Sequence, residues 1–238
     1  KSPISYIRSQ EIKKIKNYVN FHSDLKNTVK CDILIICLPT PLNSQNNPDL
    51  SHIINCMKKI KQFLKKGQTI ILESTTYPGT TEDIIFSKLN NFKIGKNFFL
   101  GYSPEREDPG SKSFTFYNTP KIVSGYTKNC LEIVNSLYSK IVKKTVISEN
   151  IKNAETAKIF ENVYRSVNIA LVNEMKFVLN SMNIDVNKVI DLAKTKPFGF
   201  SEFRPGPGVG GHCIPIDPLY LSWIAEKNGY NSKFIKLA

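Results

Sequence analysis

Cys213 is the residue whose sequence surroundings most clearly suggest chemistry. Four of the six positions from Gly206 to Gly211 are glycine, a residue that adopts backbone conformations closed to others and lets a ligand approach the main chain. Pro215 suits the first turn of a helix, so we expect Cys213 at a helix N-terminus, where the partial positive charge favours thiolate over thiol. The pattern predicts a catalytic thiol with the Asp217 carboxylate one turn further along, or alternatively a cysteine that is buried in a packing loop.

A second pair of candidate residues lies on a long predicted helix. The stretch from Ile151 to Asn183 contains no glycine or proline, and its apolar residues recur with a helical period, which predicts a long, largely buried helix. Lys158 and Asn162 stand four residues apart on it and therefore share one face. They indicate either a polar group aimed at a site or a solvated stripe. A shorter helix is expected from Val186 to Lys194.

The elements that must position these residues alternate between strand and helix in the first two thirds of the chain. Two apolar runs, Val29–Pro39 and Gln68–Ser74, have the continuous hydrophobic character of fully buried parallel strands. We expect further helices near 50–64, 81–89 and 128–139, and strands near 98–102, 121–124 and 145–148. This order predicts an α/β fold, a doubly wound (Rossmann-type) parallel sheet in residues 1–150, followed by a helical domain in residues 151–238.

Polar side chains follow three of the predicted strands. In strand order they are Pro39 and Thr40, Ser74 and Thr75, and Glu105 and Arg106. Open α/β folds bind their ligands outside the carboxyl ends of the strands. The three loops together therefore predict a binding site at that edge of the sheet, although each loop alone is equally compatible with ordinary turn chemistry.

Composition argues against several classes of function. The formal net charge is +13, but 29 of the 33 basic residues are lysines spread along the chain, which favours an anionic small substrate over nucleic acid. No apolar stretch is long enough to span a membrane and the start lacks a signal-peptide pattern, so a cytoplasmic protein is expected. The five cysteines and three histidines are scattered, and we predict neither disulfides nor a metal site.

Five segments resemble, in order, the motifs of one enzyme family. They are LPTPL (38–42), ESTTYPGTTE (73–82), GYSPEREDPG (101–110), NAETAKIFEN (153–162) and PGPGVGGHCIPIDP (205–218). The chain is thus identified as a member of the nucleotide-sugar 6-dehydrogenases, the UDP-glucose/GDP-mannose dehydrogenase family, and is most similar to the branch that oxidises UDP-N-acetylglucosamine to its uronic acid. The resemblance implies a four-electron oxidation of the sugar C6 alcohol, with NAD as cofactor and a covalent thioester on the cysteine, for surface polysaccharide synthesis.

The resemblance also implies catalytic roles. Cys213 would attack the aldehyde intermediate as a thiolate, while Lys158 and Asn162 would stabilise the developing oxyanion. Asp217 would assist the proton transfers. Thr75 and Glu105 would position the water that hydrolyses the thioester.

Binding residues and partners follow from the same resemblance. The implied cofactor contacts are Pro39, Thr40, Ser74 and Thr75. The implied substrate contacts are Glu105, Arg106, Lys158, Asn162, Arg204, Gly206, Gly208, Gly210 and Gly211. A UDP-sugar is the implied substrate, and a homodimer formed through the long helix is the implied assembly.

Alternatives stay open at this point. The sugar could be UDP-glucose or UDP-N-acetylmannosamine, or the chain could be truncated and inactive, acting only as an assembly module. It could also belong to the wider hydroxy-acid dehydrogenase group, which shares the layout of an NAD domain and a helical domain. That last interpretation would leave the cysteine unexplained.

The sequence departs from the family pattern in two ways. In the UDP-glucose branch a lysine stands where this chain has Ile216, so the cofactor contact of that lysine is replaced or absent. The family opens with a glycine fingerprint for the NAD pyrophosphate, which this sequence lacks, so we expect a fragment that starts after the second strand and stops before the C-terminal UDP-binding domain. Tyr18–His22 is then the candidate third strand, with the sheet split and Ile33–Cys37 left as an apolar edge.

Overall fold

The computed structural model describes residues 7–108, 111, 113–211 and 213–238, and its chain forms two compact units. The first, called here the sheet unit, comprises the described residues up to Pro39 together with Ser51–Ser74 and Gly79–Ala154. The second, the helical unit, comprises Thr40–Leu50, Thr75–Pro78 and Glu155–Ala238. Pro109, Gly110 and His212, which belong to two of the sequence motifs, lie outside the described residues, as does the start of the chain.

Five strands form the sheet of the sheet unit. They are β1 (Ile33–Ile36), β2 (Thr69–Leu72), β3 (Phe99–Tyr102), β4 (Lys121–Gly125) and β5 (Thr145–Ile147), arranged in the order β1-β2-β3-β4-β5. All neighbouring strands run parallel except β3 and β4, which are antiparallel. The predicted α/β class with a Rossmann-type, mainly parallel sheet is confirmed, and the β3–β4 pair is the one antiparallel pair among the described strands. The described part of the β3–β4 connection contains no helix, and an antiparallel return does not require a crossover helix.

The sheet unit contains the helices α1 (Ser9–Ile15), α2 (Ser51–Ile60) and α3 (Lys128–Tyr138). The second and third lie where the sequence predicted helices, whereas α1 was not predicted. The region near 81–89 forms a π-helical turn (Thr81–Ile85) followed by a 3₁₀ turn (Phe86–Lys88) instead of an α-helix. Thr127 caps α3 by accepting a hydrogen bond from the Cys130 amide. Ile71, Val123, Val134 and Tyr138 form a buried cluster, so α3 packs on the central strands.

Two expectations about the first strands are wrong. Residues 19–22 form no strand, and Tyr18 and Phe21 are more than four-fifths exposed, since no described strand lies beside them to pair with their backbone. β2 is fully buried as predicted, whereas β1 is only partly buried and Ile35 is 45% exposed. The reason is that β1 is the edge strand of the described sheet. The apolar edge that the sequence predicted is therefore present. The described strands nevertheless form one continuous sheet, so the predicted split of the sheet is not seen.

The helical unit is built around a long helix. α4 (Ile151–Ser181) is followed by α5 (Val186–Ala193), α6 (Cys213–Lys227) and α7 (Lys233–Leu237). Asp185 caps α5 by accepting a hydrogen bond from the Asn187 amide. Leu179, Val186 and Ile190 then pack together, which closes the turn between α4 and α5.

The expectation that α4 is largely buried is wrong for one of its faces. Phe160, Tyr164, Leu171 and Val178 lie on a common side of the helix and are 63%, 45%, 54% and 44% exposed. The periodicity of the sequence detects apolar positions but not whether another chain or element covers them. Within the described residues, no helix combines the length and the apolar character that crossing a bilayer would need.

Candidate active site

Cys213 is the first residue of α6 and is exposed. Its predicted position at a helix N-terminus is confirmed, and Pro215 lies in the first turn as expected. Gly210 and Gly211 precede it with φ angles of 62° and 75°, and a Cβ added to either glycine would meet no atom within 4 Å. Glycine is therefore required here by backbone conformation and not by crowding, and the approach to the thiol is open.

Asn162 of α4 and Asp217 of α6 form a buried pair. Asn162 is 1% exposed and Asp217 is 5% exposed, and the Asn162 side-chain amide donates a hydrogen bond to the Asp217 carboxylate. The guanidinium of Arg165 donates to Oδ1 of Asn162 from one turn along the same helix. Because both ends of the amide are engaged, its orientation is fixed. The interpretation of this face as a solvated stripe is wrong for Asn162.

Lys158 shares its electrostatic surroundings with these residues. Burial lowers the pKa of its ammonium group, while the charges of Glu161, Asp217 and Cys213 act in the opposite direction. The structure thus brings Lys158, Asn162, Cys213 and Asp217 together at the contact of α4 and α6, within the helical unit. A cation, an amide, a carboxylate and a thiol in one place can stabilise an oxyanion beside a nucleophile.

Two loops of the helical unit are anchored to α6 near this cluster. Thr40 donates through Oγ1 to the carbonyl of Thr75 at 2.8 Å, and the Tyr220 hydroxyl donates to the carbonyl of Pro41 at 3.0 Å. The ring of Tyr77 packs at 5.1 Å from that of Trp223. Burial raises the pKa of Tyr220, so its hydroxyl remains a donor. Thr40 and Thr75 are therefore held close to one another, as the sequence predicted for loops at one edge.

Arg204 and Gly206, two predicted substrate contacts, are already engaged in the helical unit. The guanidinium of Arg204 lies 2.6 Å from Asp191 and 2.7 Å from Glu202, and it is 40% exposed. The amide of Gly206 donates to Oδ1 of Asn173 on α4 at 2.9 Å. The loop before α6 is thereby tied to α4 and α5 through polar contacts, whereas Gly208, Gly210 and Gly211 face open space.

Glu105, Arg106, Pro39 and Ser74 belong to the sheet unit. Oε1 of Glu105 accepts hydrogen bonds from the amides of Arg106 and Glu107 at 2.7 and 2.6 Å, and the Arg106 guanidinium donates to the carbonyl of Pro120. Ser74 donates through Oγ to the carbonyl of Leu38 at 2.7 Å, so the segments that follow β2 and β1 are joined there. These residues follow the strands β1, β2 and β3 as predicted.

The structure also reveals polar residues that the sequence did not single out. Lys121, at the start of β4, pairs with both Glu73 and Glu105, and Tyr138 donates a hydrogen bond to Glu73. In the sequence, this set of residues was indicated only by Lys121, a lysine at the start of a mainly apolar strand. Arg165 was missed as well, although it stands three residues after Asn162, a spacing at which helical side chains meet.

One thiol near the sheet edge is chemically unlike a nucleophile. Cys37 lies with Sγ 3.7 Å from Oε2 of Glu73. Desolvation, reinforced by the Glu73 carboxylate, raises the pKa of Cys37 to about 11. It is therefore protonated near neutral pH, and a protonated thiol is a poor nucleophile.

Comparison with known proteins identifies the family. Residues 8–142 match the NAD-binding domain of the UDP-glucose/GDP-mannose dehydrogenase family, and residues 152–238 match its central domain. The chain belongs to this family.

Individual relatives agree with that assignment. UDP-N-acetyl-D-glucosamine 6-dehydrogenase of Pseudomonas aeruginosa is 41% identical over 91% of this chain and 52% of the relative, and the protein of that name from Salmonella typhi is 39% identical over 92% and 52%. A solved structure, UDP-D-ManNAc dehydrogenase of Pyrococcus horikoshii, superposes with a TM-score of 0.90 and 29% identity over 99% of this chain and 57% of that one. The chain spans about half the length of the curated relatives it matches.

The sheet unit fits the cofactor of this family. Its strands β1, β2 and β3 lie side by side and parallel, the arrangement whose carboxyl ends bind dinucleotides in open α/β sheets. Pro39 and Ser74 follow β1 and β2 at that edge. Together with the match to the NAD-binding domain, this confirms NAD as the predicted cofactor.

Proposed function

We propose that this protein catalyses the NAD-dependent oxidation of the C6 alcohol of a UDP-sugar to the carboxylate. The observation that carries the proposal is the cluster at the start of α6, where an exposed thiol, an ammonium group and a buried amide–carboxylate pair meet. Membership of the dehydrogenase family supports it. In balance, one alcohol, one water and two NAD⁺ give one carboxylate, two NADH and three protons.

The nucleophile in this proposal is Cys213. Its thiolate adds to the carbonyl carbon of the aldehyde intermediate, forming a carbon–sulfur bond while the carbonyl oxygen becomes an oxyanion. The Lys158 ammonium balances that negative charge, and the Asn162 amide, held by Asp217 and Arg165, adds a hydrogen bond. NAD, when bound, supplies the hydride acceptor for each of the two oxidation steps.

Proton transfer and hydrolysis are assigned to the remaining polar residues. Asp217 takes up or returns the proton of the reacting oxygen, since it lies beside Asn162 and the Lys158 charge. Thr75 and Glu105 orient a water that attacks the thioester carbonyl, breaks the carbon–sulfur bond and regenerates the thiolate.

Binding contacts form the next part of the proposal. Pro39, Thr40, Ser74 and Thr75 hold the cofactor. The substrate contacts are Arg106, Arg204, Gly206, Gly208, Gly210 and Gly211 in addition to the catalytic residues. Arg204 is 40% exposed and has five N–H donors, so it can contact substrate while it keeps its carboxylate partners.

UDP-N-acetylglucosamine is the substrate we favour. The support is the identity of about 40% to two relatives named for that sugar. UDP-N-acetylmannosamine is the second candidate, because the Pyrococcus horikoshii structure that superposes with a TM-score of 0.90 carries that sugar in its name. The two sugars are epimers at a single carbon, so direct comparison of kcat/KM decides between them.

The proposal includes an organisation into two domains and a homodimer. Residues 1–150 would form the NAD-binding part and residues 151–238 the central helical domain, in keeping with the two family matches. The exposed apolar face of α4, formed by Phe160, Tyr164, Leu171 and Val178, supports self-association through this helix.

The test of the function is NADH formation by the complete gene product with UDP-N-acetylglucosamine, UDP-N-acetylmannosamine and UDP-glucose. We expect two NADH for each sugar consumed, and loss of the second oxidation in Cys213→Ala. Cys31→Ala is the matched control, because Cys31 is also an exposed cysteine and lies in the sheet unit. Retention of full two-step turnover in Cys213→Ala would contradict the thioester route.

A further inference from the structure

Lys121 is a buried cation in the sheet unit. It is the first residue of β4 and is 3% exposed. Burying an ammonium group without a partner would cost free energy. The groups that contact its Nζ atom therefore indicate the role of the residue.

Two carboxylates and two aromatic rings surround the ammonium group. Nζ lies 3.2 Å from Oε2 of Glu105 and 3.3 Å from Oε1 of Glu73. The ring centres of Phe116 and Tyr138 are 5.0 and 5.2 Å from the same atom, within the range of cation–π attraction. The cation is thus held on several sides, and its location is well defined.

The antiparallel pairing of β3 and β4 explains why Lys121 meets Glu105. Gly101 lies opposite Gly125 and Tyr102 opposite Ser124. Glu105 stands three residues after β3, and the same antiparallel register, if continued, would set it opposite Lys121. The antiparallel direction of β4 is thus in keeping with the observed contact between the two charges.

Glu73 and Tyr138 hold the inner side of Lys121. The Glu73 side chain is 13% exposed, and its Oε1 also accepts a hydrogen bond from the Tyr138 hydroxyl. Burial and the Glu73 carboxylate raise the pKa of Tyr138, so this hydroxyl keeps its proton. Lys121 is consequently held on its buried side by Glu73, while on its more exposed side it contacts Glu105.

Glu105 is the accessible member of the group. Its side chain is 42% exposed, Oε1 accepts two main-chain N–H groups, and Oε2 contacts Lys121. A carboxylate has about four lone-pair positions. Oε2 can therefore face a water or a substrate proton while Lys121 and the two amides fix the plane of the group.

We propose that Lys121 is a positioning residue for Glu105: the buried ammonium, anchored by Glu73 and Tyr138, holds the Glu105 carboxylate in the orientation in which it handles the hydrolytic water. This inference rests on the role given to Glu105 in the proposed function. Lys121 itself touches neither substrate nor cofactor in it.

The experiment compares Lys121→Met, Lys121→Arg, Glu105→Gln and the Lys121→Met/Glu105→Gln double variant of the complete gene product. We expect Lys121→Met to lower kcat by about tenfold to hundredfold, since small displacements of a reacting group have effects of this size, and to change KM for the UDP-sugar much less. Lys121→Arg should restore most of the loss. The double variant should be no slower than Glu105→Gln, whereas independent effects would multiply.

A second measurement follows the covalent intermediate. If hydrolysis is slowed, Lys121→Met and Glu105→Gln should both accumulate enzyme carrying the sugar nucleotide on Cys213, which intact-protein mass spectrometry detects. A purely structural loss would not produce this species. Lys152→Met is the matched control, because it removes the ion pair to Glu82 in the same unit without touching Glu105; no accumulation is expected.

Folding is controlled by a further variant. If Lys121→Met is too unstable to purify, Lys121→Met/Glu73→Gln removes both buried charges together, which is far less damaging than leaving one unpaired. It should show the same slow hydrolysis, while Glu73→Gln alone, which weakens the inner anchor but leaves Lys121 beside Glu105, should slow hydrolysis less than Lys121→Met does.

The outcomes separate the inference from the function on which it rests. The inference about Lys121 alone would be overturned if the losses in kcat of the two single variants multiplied in the double variant. It would also be overturned if Lys121→Met hydrolysed the thioester as fast as the parent while Glu105→Gln was slow. Parent-like hydrolysis in Glu105→Gln would overturn the role of Glu105 as well. NADH formation that does not require Cys213 would instead overturn the thioester route.

Discussion

At the level of single residues, the environment of Lys158 determines what it contributes. The group lies on the same helical face as Asn162, and its interactions with Asp217 and Cys213 favour the charged form against the cost of burial. An ammonium group in partly dehydrated surroundings stabilises an oxyanion more strongly than one in water. The same burial makes its charge sensitive to alkaline pH.

Lys158 should therefore limit activity on the alkaline side. Its lowered pKa means that the ammonium form, present below that pKa, is lost at a lower pH than in an ordinary lysine. We expect kcat to fall as pH rises through this pKa, and the fall to move to higher pH in Lys158→Arg, whose guanidinium stays charged. Lys158→Met should lower kcat by about 10²–10³-fold at neutral pH.

The measurement is kcat against pH for the parent, Lys158→Arg and the control Lys176→Arg. Lys176 is an exposed lysine 18 residues further along α4, about 27 Å from Lys158 along the helix axis, and its replacement should leave the profile unchanged. An alkaline limb that stays in place in Lys158→Arg would show that another group controls it.

At the level of elements, the packing of α3 against β4 holds the sheet unit together around the Lys121 group. β4 carries Lys121 at its start and Gly125 at its end, and α3 carries Tyr138. A Cβ added at Gly125 would lie 2.1 Å from the Leu131 amide nitrogen and 2.6 Å from the Cys130 carbonyl carbon. Both atoms are backbone, so the helix itself would have to move.

Gly125→Ala should consequently destabilise the protein. We expect the free energy of unfolding to fall by about 1–3 kcal/mol or more, the range found for overpacked cores, with an unchanged dependence on urea concentration. Gly206→Ala is the control for stability, because an added Cβ there would only approach the Gly208 carbonyl oxygen at 3.7 Å. Equal unfolding midpoints for the two variants would contradict the close packing of α3 on β4.

At the level of the whole molecule, the exposed apolar face of α4 is a candidate surface for association with a second copy. Phe160, Leu171 and Val178 are each more than two-fifths exposed on one side of a 31-residue helix. Apolar residues aligned in this way mark association surfaces more often than isolated ones do. A two-fold dimer would bury the same face of each copy.

Leu171→Glu should weaken the proposed dimer. A charge at the middle of such a face would be buried without a partner, and we expect the dimer dissociation constant to rise by about 30-fold or more. Sedimentation velocity at micromolar concentration would then show monomer for Leu171→Glu, and dimer for the parent and for Lys176→Glu on the opposite side. A parent that sediments as a monomer would contradict the proposal directly.

The sequence by itself determined the local features of this protein. The glycine-free run predicted α4, the apolar run at 68–74 predicted the buried β2, and Pro215 with its glycines predicted a helix that begins at Cys213. These features depend on periodicity and backbone preference, which act over a few neighbouring residues. The candidate residues of the helical unit were likewise found from sequence, because motif and spacing identified them.

Only the tertiary structure decided the remaining features. It reversed β4 against β3, left one face of α4 exposed and joined Lys121 to Glu73 and Glu105. Each of these depends on which distant segments come together, and hydrophobic pattern carries no information about a buried lysine's partners. The sequence thus predicted which residues were candidates for the site. The tertiary structure determined which of these residues contact one another.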